Sequence, residues 1–179
     1  ASGLIVRTST ASGETASAQV MLASGTTGGQ VTNGASGSFT TTVPGQNVYL
    51  TFSATAGQNL GFALSDLMTP NATGYVYLNV FSPDGGAAAS QVCYASDAGC
   101  QVNLPGTVGG TYSVVVSPPS DGDRTMSFKS TLSTDLTGTL QSDVAQTINL
   151  TRRGQNARLS FAGTAGKTVA LQVAGQSTT

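Results

Sequence analysis

The chain has 179 residues, only 8% of them charged, a formal net charge of −1, and neither His nor Trp. So little charge gives nucleic acid or an anionic membrane nothing to hold, and the lack of His removes the usual neutral-pH general base and the commonest transition-metal ligand. No stretch reaches the roughly 20 apolar residues of a membrane-spanning helix, and residues 1–10 lack the charged start and apolar run of a secretory leader; if the protein is exported, the sequence is expected to be its mature chain or an excised part of one.

Short alternating runs rich in Thr, Val, Ser and Gly, broken by Gly, Asn, Asp and Pro clusters, predict an all-β chain. In order, strands are expected at residues 4–8, 16–22, 37–42, 48–54, 59–64, 75–81, 89–94, 101–103, 110–116, 124–132, 145–150, 157–162 and 168–173. Turns are expected at Asn33-Gly34, Pro44-Gly45, residues 82–86, Pro105-Gly106 and residues 121–123. No window keeps a 3.6-residue period over helical length. Charge is uneven along this order. No Lys or Arg stands between Arg7 and Arg124, whereas Arg152, Arg153, Arg158 and Lys167 cluster late.

The chain repeats itself. Residues 45–57 recur as residues 154–166, an offset of 109, with Leu50, Phe52 and Ala54 matched by Leu159, Phe161 and Gly163. The next strand follows suit, Leu60, Phe62 and Leu64 against Val169, Leu171 and Val173. A second match sets Leu4-Ile5-Val6 and residues 16–22 against Val114-Val115-Val116 and residues 126–132, at an offset of 110. Such inward-facing alternation is what a β-sandwich core needs. The repeat therefore predicts the terminal hairpin of a preceding module at 1–25, a complete sandwich at 28–134, and the first strands of a following module at 136–179. Residues 23–29 and 133–138 are expected to be the linkers. The two terminal pieces are complementary. They are expected to pair within the chain, to exchange strands between chains, or to find their partners in neighbouring repeats.

Three sets of side chains bear on chemistry. Cys93 and Cys100, seven residues apart around turn formers, predict a disulfide across a hairpin and an oxidising compartment. Two thiolates without His or further Cys do not complete a zinc shell. Tyr75 and Tyr77 share one face of a strand, either covering core or presenting a sugar-stacking platform. No Gly-x-Ser-x-Gly elbow is present, and any Ser nucleophile would lack a His partner, so the chain reads as no enzyme.

The order of residues 44–60, 76–85 and 104–116 resembles a bacterial pre-peptidase C-terminal domain: an apolar-aromatic strand, an Ala-Gly-Gln turn, a strand ending in Pro-Asp-Gly, and a late Gly-Thr-Tyr-Ser-Val-Val-Val strand. On residues 152–158 and 162–166 the chain more closely resembles the tandem sandwich repeats of large secreted RHS/YD-repeat surface proteins. The resemblance implies an antiparallel β-sandwich of jelly-roll or Greek-key type, extracellular and accessory to an activity elsewhere. It also implies a possible calcium site, for which Asp121 and Asp123 are the candidates, with Asp84 and Asp97 as distant extras; the competing reading is an ordinary turn. The expected function is a non-catalytic extracellular spacer repeat of a bacterial surface protein. The alternatives are a filament subunit built by strand exchange and an adhesion or carbohydrate-binding module. Expected partners are neighbouring repeats, copies of the chain or cell-surface glycans, with no nucleic acid and no membrane insertion.

Overall fold

Alternation decides which runs become strands and which way they face. In β3 (Val48–Ala54), Val48, Leu50, Phe52 and Ala54 are buried while Tyr49 and Ser53 are exposed. β5 (Tyr75–Phe81) and β8 (Gly110–Ser117) keep the same period, turning Val76, Leu78 and Val80, and Tyr112, Val114 and Val116, inward. The computed structural model describes residues 24–71, 73–97, 99–119 and 124–177.

The remaining strands are β1 (Thr26–Gln30), β2 (Ser36–Thr40), β4 (Leu60–Met68), β6 (Ala87–Tyr94), β7 (Gly99–Leu104), β9 (Ser127–Thr134), β10 (Leu136–Leu140) and β11 (Ala157–Phe161). A five-stranded sheet, β1-β3-β8-β5-β6, faces a four-stranded sheet, β2-β9-β4-β7, while β10 and β11 pair by themselves. The fold is all-β and sandwich-like. Between the sheets Phe52 stacks on Tyr112 at 5.0 Å and on Phe62 at 6.0 Å between ring centroids. Phe62, Leu64, Leu78, Leu132 and the inward valines close around them. Pairing is antiparallel except for β1 with β3 and β10 with β11, which are parallel.

Several expectations change. The stretches read as linkers are strands: β1 takes up most of residues 23–29, and β9 runs into β10 with Asp135 alone between them. Their short Gly- and Thr-rich sequences hold too few apolar residues to read as strands, and the parallel partners β3 and β11 hold them in place. Conversely, residues 145–150 and 168–173 form no strand and pair with no strand among the described residues. The expected strands at 4–8 and 16–22 lie outside the described residues. The disulfide joins Cys93 to Cys100 with Cα atoms 5.3 Å apart, yet it does not cross a hairpin. β6 and β7 are the edge strands of opposite sheets, so the bond staples the open side of the sandwich.

The repeat offset reappears in the hydrogen bonding. Thr26 N donates to Asn47 O at 2.8 Å, and Leu136 N to Asn156 O at 2.8 Å. Gln46 accepts from Thr42 N and donates to Ser24 O; Gln155 accepts from Thr151 N and donates to Thr134 O. Gly45 and Gly154 open these turns with φ of 77° and 75°, a region a side chain disfavours.

Candidate functional site

Two places gather side chains whose chemistry the packing alone does not account for. The first surrounds Asp135. Its amide donates to Asn59 O at 3.0 Å, and its carboxylate, 1% exposed, accepts from Arg158 Nε at 2.6 Å. The Asn156 amide also donates to that carboxylate, at 3.0 Å, and to Asn103 Oδ1 at 3.0 Å. A buried carboxylate is costly unless paired and hydrogen-bonded, and this one is both. Beside it, Ser133 Oγ donates to Arg153 O at 3.3 Å. The Gly154 carbonyl rests against the Cα of Gly61, where any side chain would collide. The Arg152 and Arg153 guanidinium groups reach Gly34 and Gly99. The turn 152–156 is thus seated on the outer face of β4 and β9, which explains why Gly61, Ala63, Thr131 and Ser133 are buried although they point away from the core.

One repeat earlier the same position is built differently. Gly25 stands 110 residues before Asp135, and Tyr49 stands 109 before Arg158. The Tyr49 ring lies across Gly25, in the space a side chain there would occupy. An ion pair at one position is a ring on a glycine at the other. Sequence reading passed over both pairs because each partner is unremarkable alone; aligning the two copies at positions 25 and 135 is the signal that finds them.

The second place is the outer face of β5 and β6. Tyr75 and Tyr77 face outward, with edge-to-face rings 5.5 Å apart. Tyr94, not singled out from sequence, stands opposite Tyr75 in register, 5.8 Å away ring to ring. The next cross-strand pairs are Tyr77 with Val92 and Asn79 with Ser90. Together Tyr77, Asn79, Ser90, Gln91, Val92 and Tyr94 line an open concavity of about 600 Å³.

The calcium candidates Asp121 and Asp123 lie outside the described residues. Asp84 is spent in its own turn, accepting from Ser82 Oγ and from the Gly86 amide at 3.1 Å; the Ser82 hydroxyl first, and then that amide, hold its carboxyl below the usual carboxylate range. Asp97 accepts from Ser96 Oγ. Among the described residues no three His, Cys, Asp or Glu side chains come together as a metal would need.

No protein-family model matches the chain, and no curated protein matches it in sequence. Solved structures share the general shape. The pre-peptidase C-terminal domain of a collagenase from Bacillus anthracis is 14% identical, with 60% of this chain and 93% of that one covered and a TM-score of 0.43. A periplasmic inhibitor of g-type lysozyme from Aeromonas hydrophila is 21% identical over 62% and 99% of the two chains, with a TM-score of 0.37. A surface-associated copper-binding protein from Methylomicrobium album is 10% identical over 63% and 100%, with a TM-score of 0.41. At these scores the chain is similar to them in outline, and no activity transfers.

Proposed function

We propose that this chain is a non-catalytic spacer segment of a tandem β-sandwich array, exported to an oxidising compartment. Residues 28–134 are one whole module, and residues 136–179 open the next. The observation that supports this most is the seating of the turn 152–156 on the outer face of β4 and β9, locked by Asp135 and Arg158 with a single residue between consecutive strands. A one-residue connection with a buried, doubly hydrogen-bonded side chain leaves little room for a hinge, so successive modules hold a fixed orientation, as a spacer requires. The Cys93–Cys100 bond supports export, since such bonds persist outside the reducing cytosol. Solution scattering tests the reading. Chains carrying two and then three copies of the repeat, joined as at Thr134 to Leu136, should lengthen by a constant step. A broad spread of dimensions, as a flexible linker gives, would overturn it.

A second reading, strand exchange between copies, is favoured by one feature. Phe161, Val169, Leu171 and Val173 are exposed although they occupy the repeat positions of core residues. Residues 4–6 and 16–22 match the strands that cover those positions in the whole module. Concentration-dependent assembly by light scattering, abolished by deleting residues 1–22, is its expected result; a strictly monomeric intact chain would exclude it.

A further inference from the structure

We propose that the tyrosine corner of the five-stranded sheet is a binding site for uncharged glycan chains. This goes beyond the spacer role and does not depend on it. A pyranose ring offers an apolar patch of C–H groups on its face and hydroxyls around its rim. Its site therefore needs aromatic surface with amide and hydroxyl groups close by, in a concave setting. The corner has these in order along two paired strands. Tyr77 and Tyr94, 39% and 47% exposed, supply ring surface at one end of the concavity. Asn79 and Ser90 supply donors and acceptors toward the other.

The neutrality of the lining narrows the ligand. None of the six lining residues is an acid or a base, so the desolvation of a uronate or a sulfated sugar would go uncompensated. Pre-organisation adds to the case. Tyr75 contacts both Tyr77 and Tyr94 ring to ring, and a ring already held loses less rotamer freedom when a ligand arrives. A protein partner fits less well, because interface cores are contiguous apolar patches, whereas here the rings stand beside an amide and a hydroxyl. One such site binds weakly, and a spacer array would multiply it by avidity.

The intact chain contains five Tyr and no Trp, so its own tyrosine emission reports on this corner. Cellopentaose, xylopentaose, maltopentaose and chitotetraose are titrated to millimolar concentration, with oligogalacturonate as the charged comparison. The expected result is a saturable change with at least one neutral oligosaccharide and none with oligogalacturonate. Calorimetry of Tyr77→Ala and Tyr94→Ala should show affinity falling by about tenfold or more, as removal of a central aromatic contact does, with the melting temperature unchanged. Ser113→Ala, on the same face but outside the concavity, should bind as the parent does. Three results would each overturn the proposal: no response to any neutral oligosaccharide, binding that survives both tyrosine changes, or self-association that disappears in the tyrosine variants without any sugar binding.

Discussion

Residues 48–68 and residues 157–175 share one pattern and meet different fates. Phe52 is fully buried between Tyr112 and Phe62, whereas Phe161, at the same repeat position, is 56% exposed. Leu60, Phe62 and Leu64 lie in β4 between two partners, whereas Val169, Leu171 and Val173 belong to no ladder. Apart from the parallel β10–β11 ladder, what survives in the second copy is what local chain can make for itself. The Gln155 turn, the Lys167 N to Thr164 O bond that matches Gln58 N to Thr55 O, and the left-handed Gly166 that matches Gly57 are all kept. A β-strand is a tertiary object: period-2 patterning states which face will be buried, but only a neighbouring strand satisfies its backbone.

The largest effect expected from this contrast is on Phe52. Phe52→Ala should cost about 3–5 kcal/mol, the usual range for emptying a packed aromatic site. Phe161→Ala should stay within about 0.5 kcal/mol, as exposed positions do. Urea unfolding of both variants followed by tyrosine emission makes the measurement; equal losses would mean that residues 157–175 have found strands to pack against. Next in size is the staple. Reducing Cys93–Cys100, or replacing both with Ser, should remove about 2.5 kcal/mol by the loop-entropy estimate for so short a loop. The loss belongs to the two-sheet sandwich, because both edges it joins lie there.

The turn 152–156 and the Asp135–Arg158 pair come third. Arg158→Ala leaves the Asp135 carboxylate with the Asn156 amide alone, and an under-satisfied buried acceptor costs about 1–3 kcal/mol. The lower end is expected, since Arg158 is itself half exposed and solvent screens the pair. The effect should be local. Trypsin should cut after Arg152 and Arg153 faster in Arg158→Ala, and in Gly61→Val, whose side chain would push the Gly154 carbonyl off β4. The double change Asp135→Gly with Arg158→Tyr copies the Gly25–Tyr49 pair and should restore the parent's resistance. If it cuts as fast as Arg158→Ala, the two positions are not equivalent.

How much of this was legible follows from where the information sits. The ends of β3 and β5 are legible because strict alternation from Val48 to Ala54 and from Tyr75 to Phe81 is written locally. The cysteine pairing was likewise a matter of spacing. Their place on opposite sheets was not, since it depends on β6 and β7 parting at the turn after Tyr94. β1 and β10 are not legible, because Thr-Thr-Gly-Gly-Gln and Leu-Thr-Gly-Thr-Leu become strands only beside β3 and β11. The same holds for the sites. Tyr75 and Tyr77 could be named from one strand, but Tyr94 joins them only through the β5–β6 register. The Asp135–Arg158 pair shows itself only once both copies are superposed on the offset.

The smallest expected effect tests the offset at a single bulge. Asp66 sits where the β4–β9 register slips, with φ of 50°, and Gly175, 109 residues on, has φ of 66°. A side chain is out of place in that region, and Asp66 is kept there by Lys129, whose ammonium is 2.8 Å from its carboxylate. The hydrogen bond and charge of Lys129 hold the Asp66 carboxyl below the usual carboxylate range. A depressed folded pKa stabilises the fold above the unfolded value near 4, and that contribution disappears as pH falls through the folded one. Asp66→Gly gives up an exposed ion pair and relieves the backbone at once, so its thermal midpoint at pH 7 should match the parent's. In acid the two should part, with the variant falling less steeply below about pH 4, where the parent loses the pair. From there toward mildly alkaline pH both curves should be flat, since the chain has no His and both cysteines are in the disulfide. A midpoint at pH 7 well below the parent's would mean that Lys129, rather than the left-handed backbone, governs the bulge, and that the two copies turn this corner for different reasons.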